Sequence, residues 1–181
     1  VTLISGGAAG TESAFGELAE RYGLREVNFS FAGREMERAR GLTELSESEL
    51  RQGDVSLAYV SHRMGREYSS APEFRRVLQT IWHQIRSAQQ VLVVGSLQED
   101  GTVRGGPGWG AELARLWNKP LWVFDQEAQL WFSWSVMGQE WERSEPPTIQ
   151  ASSFCGTGSR SLSAVGREAI ELVFERSFGQ H

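Results

Sequence analysis

Short apolar runs that suit buried strands recur along the chain, and amphipathic segments separate them. Residues 1–5 and 91–94 are short runs dominated by aliphatic residues, whereas residues 26–31 alternate apolar with polar positions. Aliphatic runs are typical of parallel strands buried on both faces, and alternation is typical of strands with one buried face. Residues 121–124 and 149–155 complete the predicted strands.

Helical periodicity lies between these strands. The Ser46-Glu47-Ser48-Glu49 segment is a capping box that opens a helix, with a break expected near Gly53. Pro72 suits a first helical turn, and a strongly amphipathic pattern follows it. The Arg-rich residues 33–40 are predicted to form a loop, and residues 129–142 a hairpin or meander. The predicted helices cover, approximately, residues 11–22, 46–62, 72–85, 110–118 and 161–177.

This order of strands and helices predicts an α/β fold. Alternation of the two indicates a mostly parallel sheet with helices on both faces, which is a Rossmann-like three-layer sandwich. The 181 residues suit one domain. We therefore expect a single Rossmann-like domain over residues 1–181, with a small Trp-rich insertion at 129–142.

The composition of the chain disfavours several classes of binding partner and cofactor. The formal net charge of -5 argues against nucleic acid as the main partner. Cys155 is the only cysteine, so no internal disulfide forms, and no apolar run has the length of a membrane span. No Cys, His and acidic residues cluster at ligand spacing, so neither a metal nor a cofactor is expected. We expect a cytoplasmic protein without a membrane partner.

Glycine-rich loops follow three of the predicted strands and precede predicted helices. Such loops let the backbone approach an anion, and the helix behind each loop presents free N–H groups. In a parallel sheet all three loops fall on the edge where open α/β sheets bind ligands, so they predict a phosphate site. Turn geometry alone also explains any one of them. The candidate ligand-binding residues are Ser5, Gly6, Gly7, Gly10 and Thr11 in the first loop, Gly105, Gly106, Gly108 and Trp109 in the second, and Gly156, Gly158, Ser159 and Arg160 in the third.

The same loops lack the signatures of two common nucleotide enzymes. No Gly-Lys-Ser or Gly-Lys-Thr follows them, and no G-x-G-x-x-G opens the first helix. ATP hydrolysis on a Walker A loop and hydride transfer are therefore disfavoured.

Three charged residues lie near the predicted edge, and Arg160 and Asp125 each have two interpretations. Arg160 suits bidentate phosphate binding or a surface ion pair. Asp125 suits a hydrogen bond to a ligand hydroxyl or a turn. Glu12 follows the first loop, where we favour a structural role.

The second loop carries a resemblance to a known family. The segment 105–112, Gly-Gly-Pro-Gly-Trp-Gly-Ala-Glu, resembles the P-G-G-x-G-T-x-x-E signature of the Lonely Guy (LOG) proteins. Arg104 stands where proline is usual and Trp109 where threonine is usual. The first loop resembles the opening loop of that domain, and Gly158-Ser159-Arg160 is similar to a turn of the DNA-processing protein A (Smf) branch. The chain thus resembles the Smf/DprA–LOG (SLOG) superfamily, near its LOG, YpsA-like and putative molybdenum carrier groups.

The resemblance implies a function. LOG proteins bind a nucleoside 5′-monophosphate and hydrolyse its N-glycosidic bond, with a glutamate and an arginine serving catalysis. Glu112 matches that glutamate, and Arg63 is our candidate for the arginine. A carboxylate in the first turn of a helix also interacts with the helix dipole, which leaves a structural role for Glu112. Trp109 suits stacking on a base or ribose. The alternative function is a non-catalytic nucleotide sensor or a molybdate-type oxyanion carrier.

The aromatic segment bears on assembly. Trp131, Trp134 and Trp141, together with the helix at 161–177, provide more apolar surface than a small sheet needs. Exposed aromatic surface often marks subunit interfaces, so we expect a homodimer or a higher homo-oligomer.

Overall fold

An eight-stranded sheet forms the centre of the structure, a computed structural model that describes residues 1–179. The elements are β1 Thr2–Ser5, α1 Thr11–Arg21, β2 Arg25–Phe31, β3 Leu42–Leu45, α2 Glu47–Arg51, α3 Asp54–Met64, α4 Pro72–Ser87, β4 Gln90–Gly95, α5 Gly106–Leu116, β5 Leu121–Asp125, β6 Leu130–Ser135, β7 Glu140–Ser144, β8 Ser153–Gly158 and α6 Ala164–Phe178. The strand order is β3-β2-β1-β8-β4-β5-β6-β7.

The first six strands of that order are parallel, and β6 and β7 continue the sheet in antiparallel fashion. Helices cover both faces. The prediction of an α/β, Rossmann-like sandwich with a mostly parallel sheet is confirmed. The aromatic segment 129–142 is a hairpin that widens one edge of the sheet.

The break expected near Gly53 is present, since α2 and α3 are separate helices. Three other features differ from the sequence prediction. Strand β3 was not predicted. Helix α5 begins at Gly106 rather than near residue 110. Strand β8 begins at Ser153 rather than at residue 149, because Ile149 precedes the ladder and donates its N–H to the Ser177 hydroxyl.

Two apolar layers hold the helices onto the sheet. On one face, α1 and α6 pack through Phe15, Phe154 and Phe174, all fully buried, with ring centroids about 6 Å apart (6.1 Å for Phe15–Phe174 and 5.9 Å for Phe154–Phe174). On the other face, α3, α4 and α5 pack on the aliphatic residues of β4 and β5. The uninterrupted apolar run of β4 is therefore buried on both sides, as its sequence predicted.

The tryptophans of the hairpin are engaged within the chain. Trp131 is 4% exposed and packs on Phe124. Trp134 and Trp141 meet edge to face at 5.2 Å, and the Arg115 guanidinium lies 3.7 Å from the Trp134 ring centroid. Self-association stays a prediction.

No helix among residues 1–179 combines the length and the apolar character that a membrane crossing requires.

Candidate functional site

A cleft of about 970 Å³ opens at the carboxyl edge of the parallel strands. From β1 the chain continues to β2 on one side of β8, and from β4 it continues to β5 on the other side. Open α/β sheets bind ligands where the strand order reverses in this way. The volume lies within the range of small-molecule pockets. The residues that follow β1, β2, β4, β5 and β8 and line the cleft include Ala8, Arg34, Ser96, Gln126 and Ser159.

The first and third glycine loops are tied together at this edge. The N–H and the hydroxyl of Thr11 both donate to the Ser159 carbonyl, at 3.1 and 2.7 Å, and the Ser5 hydroxyl donates to the Gly156 carbonyl at 2.6 Å. Gly10 has a φ of 87°, and a Cβ there would collide with the Arg160 backbone. The hydrogen bonds of Ser5 and Thr11 therefore hold the first and third loops together.

Glycines in these two loops also serve close packing. A Cβ at Gly7 would meet the Arg38 carbonyl, one at Gly156 would meet the Phe15 ring, and one at Gly158 would meet the Val94 carbonyl. Of the third loop, Gly158, Ser159 and Arg160 line the cleft. The two loops thus shape one wall of the cleft through their backbones.

The second loop forms the opposite wall. Gly105 and Gly106 line the cleft, and a Cβ at Gly106 would meet no atom of residues 1–179 within 4 Å. A Cβ at Gly108 would meet the Val103 carbonyl, so this glycine is needed for packing. Trp109 is 3% exposed and packs on Tyr68 with ring centroids 5.9 Å apart. Its ring belongs to the core, which leaves little surface for stacking on a ligand.

Glu12 places a buried carboxylate in the cleft. It lies in the first turn of α1 and is 6% exposed. Its Oε2 accepts a hydrogen bond from the Thr157 hydroxyl at 2.9 Å, and its Oε1 accepts one from the Ala8 N–H at 3.2 Å. Burial raises the pKa of Glu12, whereas the Thr157 hydrogen bond and the nearby Arg34 and Arg160 charges act in the opposite direction.

Arg34 brings a guanidinium to the same place. Its Nη1 is buried and has no hydrogen-bond partner among residues 1–179. Burial lowers the pKa of Arg34, an effect that the Glu12 carboxylate opposes and the Arg160 charge adds to. Arg104 and Arg160 also line the cleft. Three arginines from separate loops therefore face a cleft that contains a buried glutamate, and together they favour an anion.

The buried carboxyl group predicts a pH effect on stability. Because burial raises the folded-state pKa of Glu12 above its ordinary value of 4.5, the folded protein keeps a proton that the unfolded chain loses in the window between the two pKa values. This group's contribution to the free energy of unfolding therefore falls as the pH rises through that window. Glu12→Gln removes the titration, so the free energy of unfolding of the wild type minus that of the variant, measured by urea unfolding, should decrease as the pH rises above 4.5. A difference that stays constant over this range would contradict the prediction.

Glu112 and Arg63 meet each other outside the lining of the cleft. Glu112 is 3% exposed; its Oε1 lies 2.6 Å from Arg115 Nη1, and its Oε2 lies 4.0 Å from Arg63 Nε. Since α5 begins at Gly106, Glu112 is in the second turn and not in the first, where the sequence placed it. The contact between Glu112 and Arg63 joins α5 to α3. Glu112 also contacts Arg115, whose guanidinium lies over the Trp134 ring.

Asp125 acts as a turn residue in the structure. Its Oδ1 accepts the N–H groups of Glu127 and Ala128 at 3.0 and 3.4 Å. The next residue, Gln126, lines the cleft and bonds to Ser161 and Ser163. Of the two interpretations of Asp125, the geometry favours the turn.

Sequence reasoning did not select Arg34, Gln84 or Thr157. Arg34 lies in a segment that was predicted only as a loop. Gln84 and Thr80 are polar residues on the apolar face of α4, four positions apart and each no more than 1% exposed. Polar side chains on an apolar helix face can indicate a binding site, because a buried polar group needs a partner from the protein or a ligand.

Comparison of the chain with protein-family models, curated proteins and solved structures gave no match. Among residues 1–179, no group of three or more His, Cys, Asp or Glu side chains is arranged to hold a metal ion. The chemistry of the cleft is therefore the basis for inferring a function.

Proposed function

We propose that this protein binds a phosphorylated nucleotide-type ligand in the cleft, with the phosphate between Arg34 and Arg160. The observation that supports this most strongly is the buried Nη1 of Arg34, which lacks a partner among the described residues. A buried charged donor without an acceptor is costly, and a phosphate oxygen would supply a charge-assisted hydrogen bond.

The remaining surface of the cleft suits the uncharged part of such a ligand. Phe74, Val77, Ile81 and Pro107 line it, and Phe74 is 43% exposed. Apolar walls with a few fixed polar groups are typical of sites that bind a base and its sugar. Gly105 and Gly106, at the start of α5, also line the cleft.

Isothermal titration calorimetry of the wild-type protein tests the proposal. The probes are the ribonucleoside 5′-monophosphates and 5′-diphosphates, inorganic phosphate and molybdate. We expect at least one nucleotide to bind more tightly than inorganic phosphate, because the apolar wall contributes only to nucleotide binding. Molybdate binding in preference to every nucleotide would overturn the proposal and favour the oxyanion carrier.

A second candidate function is hydrolysis of the N-glycosidic bond of the bound nucleotide. The reaction that the LOG resemblance implies needs a carboxylate close to the ribose, and Glu12 is a buried carboxylate that lines the cleft. Such a group stabilises the positive charge that develops on the ribose as the base leaves. We therefore assign this role to Glu12 in place of Glu112.

A further inference from the structure

Gln84 provides an unused hydrogen-bond donor in the cleft. It is 1% exposed and lines the cleft from α4. Its Oε1 lies 3.9 Å from the Cys155 thiol, whereas its Nε2 forms no hydrogen bond with another residue in the described range 1–179. Because Gln84 lines the cleft, its amide is within reach of a ligand that binds there.

The donor of Gln84 lies next to the acceptor of Glu12. A Cβ at Gly6 would lie 2.6 Å from Gln84 Nε2 and 2.8 Å from Glu12 Oε1, so both atoms approach the same backbone position. The two Glu12 oxygens have about four lone-pair sites. Thr157 and Ala8 use two of these. An unused donor and unused acceptor sites therefore lie side by side.

Hydroxyl groups match this arrangement, because each one both donates and accepts a hydrogen bond. Glu12, Arg34 and Arg160 line the same cleft, so a group that contacts Glu12 and a phosphate held by those arginines can belong to one ligand. In a nucleotide, the sugar is the part adjacent to the phosphate, and the base is farther away at the apolar wall.

We propose that Gln84 and Glu12 bind the ribose hydroxyls of the ligand and make the protein selective for ribonucleotides over 2′-deoxyribonucleotides. This inference rests on the proposed function, since the phosphate fixes where the sugar lies. The Gln84 amide donates to a hydroxyl oxygen, and Glu12 accepts a hydroxyl hydrogen.

The test compares each ribonucleoside 5′-monophosphate with its 2′-deoxy counterpart by calorimetry on the wild-type protein. Loss of a hydroxyl that bonds to a charged group should weaken binding roughly 10- to 100-fold. Gln84→Met keeps the length of the side chain and removes its amide, whereas the Glu12 contact remains, so this variant should reduce the preference for the ribo form roughly 3- to 10-fold.

Gln79→Met is the matched control. Gln79 is also a buried glutamine of α4, but its amide donates to Asp54 at 3.0 Å and it does not line the cleft. This variant should keep the wild-type preference for ribose. Circular dichroism confirms that each variant is folded, and the wild-type comparison tests the inference even if Gln84→Met does not fold.

The outcomes separate the two proposals. Equal affinity of the wild type for ribo and deoxy forms, or an unchanged preference in folded Gln84→Met, would overturn the sugar assignment while phosphate binding stands. Failure of every phosphorylated probe to bind would overturn the proposed function, and this inference with it.

Discussion

Replacing Arg34 with methionine should weaken the binding of a nucleoside monophosphate roughly 100-fold. The variant removes a charged donor whose Nη1 is buried and unpaired among residues 1–179. It also removes one of the positive charges near the Glu12 carboxylate, which then faces the phosphate with less compensation. The fold should lose little stability, because Arg34 Nη1 makes no hydrogen bond within residues 1–179.

Arg25→Met provides the control for this charge change. Arg25 is exposed and begins strand β2, whereas Arg34 follows the other end of that strand. Each variant removes one positive charge, so an affinity loss caused only by long-range charge would be equal in the two proteins. Calorimetry at two salt concentrations measures this, and equal losses would rule out direct phosphate binding by Arg34.

The second large effect concerns turnover. If the protein hydrolyses the nucleotide, Glu12→Gln should lower the rate of base release roughly 100- to 1000-fold, because the amide keeps the shape but not the negative charge. Glu112→Gln should leave kcat nearly unchanged. It should instead lower the free energy of unfolding by about 1.5 to 3 kcal/mol, since it weakens the buried contact with Arg115.

Chromatography of free base under saturating nucleotide, together with urea unfolding, separates these effects. A fall in kcat for Glu112→Gln as deep as that for Glu12→Gln would restore the assignment that the sequence resemblance implies. Absence of base release by the wild type from any nucleotide that it binds would instead favour a sensor.

The sequence predicted the class of fold because the strands that define it have strong patterns. The apolar run of β4 is buried on both faces, and α4 has a regular apolar face. Strand β3 gave no such signal, since only Leu45 of its four residues is buried. Helix α5 was predicted to start too late because glycines and Pro107 fill its first turn. Gly105, with a φ of 72°, begins that helix despite them.

The position of the cleft was also predictable, whereas most of its chemistry was not. Glycine loops after parallel strands must meet at one edge, which the sequence showed. The packing of α5 on α3 decides which face of α5 lines the cleft. In the structure this packing places Glu112 beside Arg63. Arg34 and Gln84 come from elements that are far apart in the chain, and only the folded sheet brings them together.

Strand β8 has a consequence for biosynthesis. It forms backbone ladders with β1 on one side and with β4 on the other, although both precede it by many residues in the chain. On the ribosome, the earlier strands can form two separate part-sheets whose facing edges offer unpaired N–H and C=O groups. Insertion of β8 closes both edges and delivers Thr157, Ser159 and Arg160 to the cleft in the same event. Under the proposed function, a nascent chain should be unable to bind a nucleotide until this strand has left the exit tunnel, and nucleotide binding would then report completion of the sheet.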